Sequence, residues 1–65
     1  MNIYKITWEY DTEFNLAAVV VAGSEDEAPK ELDLEPALTS NINCRLIGQA
    51  INEIKEPCVI LQESL

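Results

Sequence analysis

Residues 3–10 alternate between apolar and polar side chains, which is the pattern of a half-buried β-strand. One face carries Tyr4, Ile6, Trp8 and Tyr10. Residues 11–13 form a short polar segment. Residues 14–22 (FNLAAVVVA) are apolar on both faces. A β-branched run of this kind is typical of a strand that is covered on both sides. We therefore predict a β-hairpin whose second strand lies inside the sheet.

The second apolar face of residues 14–22 needs a cover. Val19 and Val21 lie on the face opposite Leu16 and Val20. Without a layer over it, such a face is an exposed apolar patch. A second copy of the chain is the simplest cover, so Val19 and Val21 form the predicted homodimer face.

A short helix is predicted over residues 27–34, with a disturbed start. Ser24 and Glu27 have the spacing of a capping box, in which each side chain bonds a free backbone amide of the first turn. Pro29 would remove a backbone hydrogen bond from a helix capped at Ser24. A cap at Asp26 instead places this proline in the first turn, where no amide is needed.

Residues 42–54 fit both the alternation of a strand and the apolar stripe of a helix. Gly48 costs about 1 kcal/mol relative to alanine inside a helix, which favours a strand over residues 42–50 and a turn after it. Pro57 then precedes an apolar run, residues 58–61 (CVIL), that is long enough for a last strand.

The predicted fold is therefore α+β: a small antiparallel four-stranded sheet with one short helix packed on a face, in the order ββαββ. A chain of 65 residues forms a single compact domain near the lower size limit for folding on one hydrophobic core. The first ten residues lack the apolar segment of a signal peptide, and the longest apolar run, residues 16–22, is shorter than the roughly 20 residues of a membrane span. We expect a cytoplasmic protein.

Charge restricts the partner more than any other property. The chain has twelve acids, four bases and no histidine, for a net charge of -8, which repels phosphates and anionic lipid headgroups. We therefore expect neither direct nucleic-acid binding nor membrane binding. The candidate partner-binding residues are Glu9, Asp11 and Glu13 on the hairpin, and Glu25, Asp26, Glu27, Glu31 and Asp33 around the predicted helix. If the hairpin acids are extended, they form a row with a spacing of about 6.8 Å, similar in scale to backbone phosphates.

Catalytic and metal chemistry find little support in the sequence. Without histidine, or a carboxylate within an apolar run, no group is set up for acid–base work, so we expect no enzyme activity and no cofactor. Cys44 and Cys58 are too few for a zinc site and are interpreted as reduced, buried thiols. Asp11, Glu13 and Asn15 follow the start of a calcium loop, but the required glycine is missing, so no metal site is predicted.

Several short patterns resemble a set of very small phage and prophage proteins. They are the aromatic first strand, the segments AAVVVAGSEDEA and RLIGQA, and the ending EPCVILQES. Pro29 and Cys58 depart from the pattern of that set. The resemblance implies an intracellular phage context and supports the strand interpretation of residues 42–50.

Two functions compete at this point. In the first, the acidic residues bind the basic nucleic-acid-binding surface of a host protein, as an inhibitor of the anti-CRISPR or anti-restriction type that mimics nucleic acid. In the second, the chain is a non-catalytic structural or accessory module of a phage that acts as a homodimer. Acids near a helix start also stabilise its dipole and keep a small protein soluble, which needs no partner. A small redox or metal protein ranks last.

Overall fold

The computed structural model describes the backbone of residues 1–64 and the side chains of residues 1–62, and it contains one four-stranded antiparallel sheet. The strands are β1 (Asn2–Tyr10), β2 (Phe14–Ala22), β3 (Thr39–Gln49) and β4 (Cys58–Ser64). Their order in space is β3-β1-β2-β4, so β3 and β4 form the two edges. The predicted hairpin, the inner position of its second strand and the strand assignments of residues 42–50 and 58–61 are confirmed.

The predicted helix over residues 27–34 is wrong, and with it the α+β assignment. Within residues 1–64 there is no α-helix, only the 3₁₀ turn Ala28–Glu31, and no helix with the length and apolar character of a membrane span. Pro29 does occupy the first turn, as its missing amide allows. The chain leaves the helical conformation at Leu32, where φ is -93° and ψ is 135°. A helix of eight residues is too short to be stable without extensive packing, and Pro36 disfavours helical backbone before it.

One face of the sheet, the core face, carries the hydrophobic core. It comprises Tyr4, Ile6 and Trp8 of β1, Ala18, Val20 and Ala22 of β2, and Ala28 and Leu32 from the chain that crosses them. Register places Ile6 opposite Ala18 and Tyr4 opposite Val20, so a large side chain meets a smaller one across the strands. Ile6 and Val20 are fully buried. Burial of such side chains contributes about 1.5–3 kcal/mol each.

Residues 23–38 connect β2 to β3 across the core face and are called the crossover segment. Both strands are antiparallel to β1, so they run parallel to each other, and their connection must return along the length of the sheet. Ala28 and Leu32 anchor it, at 0% and 5% exposure. A single crossing of chain therefore forms the second layer where a helix was expected.

Candidate protein-binding surfaces

The crossover segment begins with a turn built on Ser24. The carbonyl of Ser24 accepts hydrogen bonds from the backbone N–H groups of Glu27 (3.2 Å) and Ala28 (3.1 Å), and its hydroxyl accepts from the N–H of Glu27 (3.3 Å). This is the serine half of the predicted capping box. The Glu27 carboxylate lies against Gly23 instead, with Oε2 3.0 Å from the position that a Cβ on that glycine would take.

The carboxylates of the crossover segment face solvent because its buried anchors are apolar. Ala28 and Leu32 pack on the sheet, and the acids between and around them are exposed. The exposed acids are Glu25, Asp26, Glu27, Glu31, Asp33 and Glu35. Lys30 is the single cation among residues 23–38. The segment therefore covers the core face with a strongly negative outer layer.

The tip of the β1–β2 hairpin, residues 11–13, extends this negative layer. The backbone N–H of Asp11 donates to the carbonyl of Leu38 at 2.8 Å, and the N–H of Leu38 donates to the carbonyl of Glu35 at 3.0 Å. These bonds hold Asp11 beside the end of the crossover segment, and Glu13 is also exposed. We call the following eight exposed carboxylates the acidic surface: Asp11, Glu13, Glu25, Asp26, Glu27, Glu31, Asp33 and Glu35.

Glu9 does not belong to the acidic surface. Strand alternation puts it on the second face of the sheet, away from Trp8 and the core, and its Oε2 accepts a hydrogen bond from Nδ2 of Asn41 at 2.8 Å. The predicted row of Glu9, Asp11 and Glu13 in an extended conformation therefore does not form. Asp11 has a φ of 52°, which belongs to a tight turn and not to a strand.

The predicted dimer face is largely covered within the chain. Val21 is fully buried and Val19 is half-buried. Both lie on the second face, where β4 pairs with β2 and places Leu61 beside Val19 and Cys58 beside Val21. Val19 is accessible enough to contact a partner. Val21 is buried and could not contact one directly.

Two of the four cations, Lys5 and Arg45, lie side by side on the second face. This pair was not predicted from the sequence. Lys5 of β1 is the register partner of Arg45 of β3, and Thr7 is the partner of Asn43. A shallow groove of about 460 Å³ runs along these side chains. The alternation of β1 places Lys5 on this face, but its neighbour depends on the register between strands far apart in the sequence.

The surroundings of Cys44 do not activate its thiol. The Cys44 thiol points to the crossover segment, with Sγ 3.8 Å from the carbonyl oxygen of Glu25. Burial raises the pKa of the Cys44 thiol, and the negative charge of Glu25 raises it further, which is the opposite of an activated nucleophile. Cys58 is exposed, so the prediction that it is buried is wrong. Among the described side chains, no three cysteines or carboxylates come together as a metal site.

Exposed apolar side chains are more abundant than a sheet of this size requires. The described residues include eleven: Met1, Tyr10, Phe14, Leu38, Ile42, Leu46, Ile47, Ile51, Val59, Ile60 and Leu61. Seven of these lie on the two edge strands or directly after β3. The accessible surface is 4573 Å², whereas a compact monomer of 7.3 kDa exposes about 4,200 Å². The sequence does not show which strands lie at the edges of the sheet, so the exposure of these apolar side chains was not predictable.

Comparison with family models, curated proteins and solved structures finds no match for this chain.

Proposed function

We propose that this chain is a small non-catalytic inhibitor that binds a basic, nucleic-acid-binding surface of a host protein through its acidic surface. The observation that carries the proposal is the arrangement of eight of the twelve acids, all exposed, along the crossover segment and the adjoining hairpin tip. Lys30 is the one cation placed among them. A surface of one sign attracts an oppositely charged partner at long range and pairs with its arginines at contact.

We further propose that this inhibitor acts during phage infection. The resemblance to small phage proteins and the size of the chain favour an anti-CRISPR or anti-restriction type of inhibitor that acts in the cytoplasm of an infected cell. The partner would be an effector or nuclease whose basic groove normally holds nucleic acid. Carboxylates in that groove would take the place of phosphates.

An affinity pull-down from host lysate tests the proposal. The tagged chain should capture a nucleic-acid-binding protein at about 0.1 M salt and lose it at about 1 M, because the Debye length falls from about 10 Å to about 3 Å. The double charge reversal Glu27→Lys and Glu31→Lys should abolish capture.

A matched control separates this surface from net charge alone. Glu53→Lys and Glu56→Lys make the same change in charge at exposed positions outside the acidic surface. Capture should survive this control. Equal loss in both variants, or capture that does not change with salt, would contradict binding through the acidic surface.

A second candidate is a structural or accessory homodimer of a phage particle without a host target. The exposed apolar side chains on both edges of the sheet favour it, because a protein this small rarely leaves so many uncovered. Self-association without any captured partner would support this alternative.

A further inference from the structure

β3 is an open edge of the sheet with an apolar surface. Eight of its eleven residues have register partners on β1, and no other described strand pairs with its second side. An unpaired edge presents a row of free backbone N–H and C=O groups that can bind another strand. Ile42, Leu46 and Ile47 are 48%, 57% and 47% exposed along it.

The distribution of acidic residues favours a second copy of β3 as the strand that pairs with this edge. Residues 36–52 contain no carboxylate and one cation, Arg45, although the whole chain carries twelve acids. The side chains of β3 therefore add no negative charge of their own to an interface between two copies of a chain with a charge of -8. The carboxylates nearest to it belong to neighbouring segments: Glu9 bonds Asn41, and Glu25 lies near Cys44. The β4 edge is shorter and follows Glu53, Glu56 and Pro57, which bring negative charge and a missing amide to its start.

The shape of β3 selects a symmetric register. Its pairing with β1 is regular from Asn43 to Leu46 and is interrupted by a bulge on either side. One bulge comprises Asn41 (φ 52°) and Ile42, which both lie opposite Trp8, and the other is at Ile47. Cys44 lies midway between Asn41 and Ile47. A two-fold axis through Cys44 pairs Asn43 with Arg45 inside the regular stretch and sets Asn41 opposite Ile47.

We infer that two copies of this chain pair antiparallel through β3 about Cys44, to form one continuous eight-stranded sheet. In this register Ile42 faces Leu46 of the second copy, and Arg45 faces Asn43, so apolar meets apolar and the cation meets a neutral amide. Ile42 and Leu46 thus each gain an apolar cross-strand partner, and such pairs are the unit of sheet stabilisation.

The pairing also positions the acidic surfaces. Side chains that are directly opposite across two strands point to the same face of a sheet, so both crossover segments lie on one side of the dimer. A dimer therefore presents two acidic surfaces to one partner. The pairing itself does not depend on the function proposed above.

The dimer is weak and strengthens with salt. An interface limited to one strand edge falls in the small class, below about 1,200 Å², which is typical of transient contacts. Salt screens the repulsion between two negative copies, so the dimer Kd falls as salt rises. Binding of a basic partner to the acidic surface has the opposite salt dependence, so failure of one proposal is distinguishable from failure of the other.

Sedimentation velocity under reducing conditions tests the pairing, with protein from about 1 μM to about 1 mM. The wild type should shift from monomer to dimer within that range. Leu46→Lys should raise the dimer Kd at least about tenfold. Ile60→Lys adds the same charge at an equally exposed position, 54% against 57%, on the other edge, and should leave the Kd unchanged. Far-ultraviolet circular dichroism confirms that both variants fold.

Charge pairing tests the register. Ile42→Lys and Leu46→Glu should each weaken the dimer, and the double variant should restore it, because Lys at position 42 then faces Glu at position 46 of the second copy. Within one chain these positions are four residues apart along a strand, about 13 Å, too far to pair. A wild type that stays monomeric at every concentration, or dissociation by Ile60→Lys and not by Leu46→Lys, overturns the β3 pairing. A double variant that stays monomeric overturns the register.

Discussion

The backbone N–H of Asp11 donates to the carbonyl of Leu38 at 2.8 Å, which fastens the tip of the β1–β2 hairpin to the end of the crossover segment. Asp11 and Thr12 both have positive φ values, 52° and 55°, the signature of a type I′ turn. The N–H of Glu13 closes that turn on the carbonyl of Tyr10 at 3.2 Å. Backbone geometry, not side-chain attraction, therefore brings the hairpin carboxylates to the acidic surface.

The first prediction concerns strain in this turn. Thr12 is β-branched and has a left-handed backbone, which is unfavourable for such a residue and natural for glycine. Thr12→Gly should raise the free energy of unfolding by up to about 1 kcal/mol. The control Thr7→Gly, inside β1, should lower it by about 0.5–1 kcal/mol because glycine weakens a strand. Urea denaturation measures both, and destabilisation by Thr12→Gly would contradict the turn conformation.

The second prediction tests how the crossover segment is held to the sheet. Leu32 is 5% exposed and packs on the core, whereas Leu38 of the same segment is 39% exposed. Leu32→Ala should cost about 2–5 kcal/mol, a large part of the stability of a small domain, and Leu38→Ala much less. Thermal unfolding of the two variants compares a buried and an exposed leucine in one segment. Equal losses would mean that the segment does not dock as described.

The third prediction concerns Gly48 in β3. Its φ is not positive, and a Cβ added there would lie 3.9 Å from Cδ1 of Ile3, an ordinary contact distance. Gly48→Ala should therefore stabilise the fold by about 0.4–1 kcal/mol, mainly by restricting the unfolded chain. Chemical denaturation provides the value. A loss of stability would show that the backbone at this position differs from the one described.

The fourth prediction concerns the two thiols and pH. Burial and the nearby Glu25 raise the pKa of Cys44 above its ordinary value of 9.0, so the folded state favours the protonated thiol. This contribution to stability is fully present below pH 9.0 and is lost as pH rises through the higher pKa of the folded state. Cys44→Ser should therefore lose less stability between neutral and alkaline pH than the wild type does.

Alkylation provides an independent check on the same thiols. Cys58 is exposed, so iodoacetamide should modify it before Cys44, as peptide mass spectrometry would show. Faster modification of Cys44 would contradict its placement beneath the crossover segment.

The strands of this fold were predictable because each carries its own local signal. Alternation marked β1, and a β-branched run marked β2 as an inner strand. Gly48 favoured the strand interpretation of residues 42–50, most of which belong to β3. The predicted helix over residues 27–34 did not form, although the capping spacing of Ser24 and Glu27 is present. Pro29 lies within a single 3₁₀ turn, Ala28–Glu31, and the chain becomes extended at Leu32.

The surfaces were less predictable because they depend on contacts between distant segments. Nothing in the spacing of Glu9 and Asp11 shows that one lies on the second face and the other at the hairpin tip. The pairing of Lys5 with Arg45 requires the register of β1 and β3. The edge position of β3 follows from the order of the strands in the sheet, which the alternation of its own residues does not indicate.

If the acidic surface takes the place of nucleic acid on a basic partner, the chain and an oligonucleotide should compete for that partner. The purified captured partner is loaded with a fluorescent oligonucleotide, and the chain is titrated in while anisotropy is followed. We expect the wild type to release the oligonucleotide, the Glu53→Lys and Glu56→Lys control to release it equally, and the Glu27→Lys and Glu31→Lys variant to fail. Simultaneous binding of the oligonucleotide and the wild-type chain would contradict this competition.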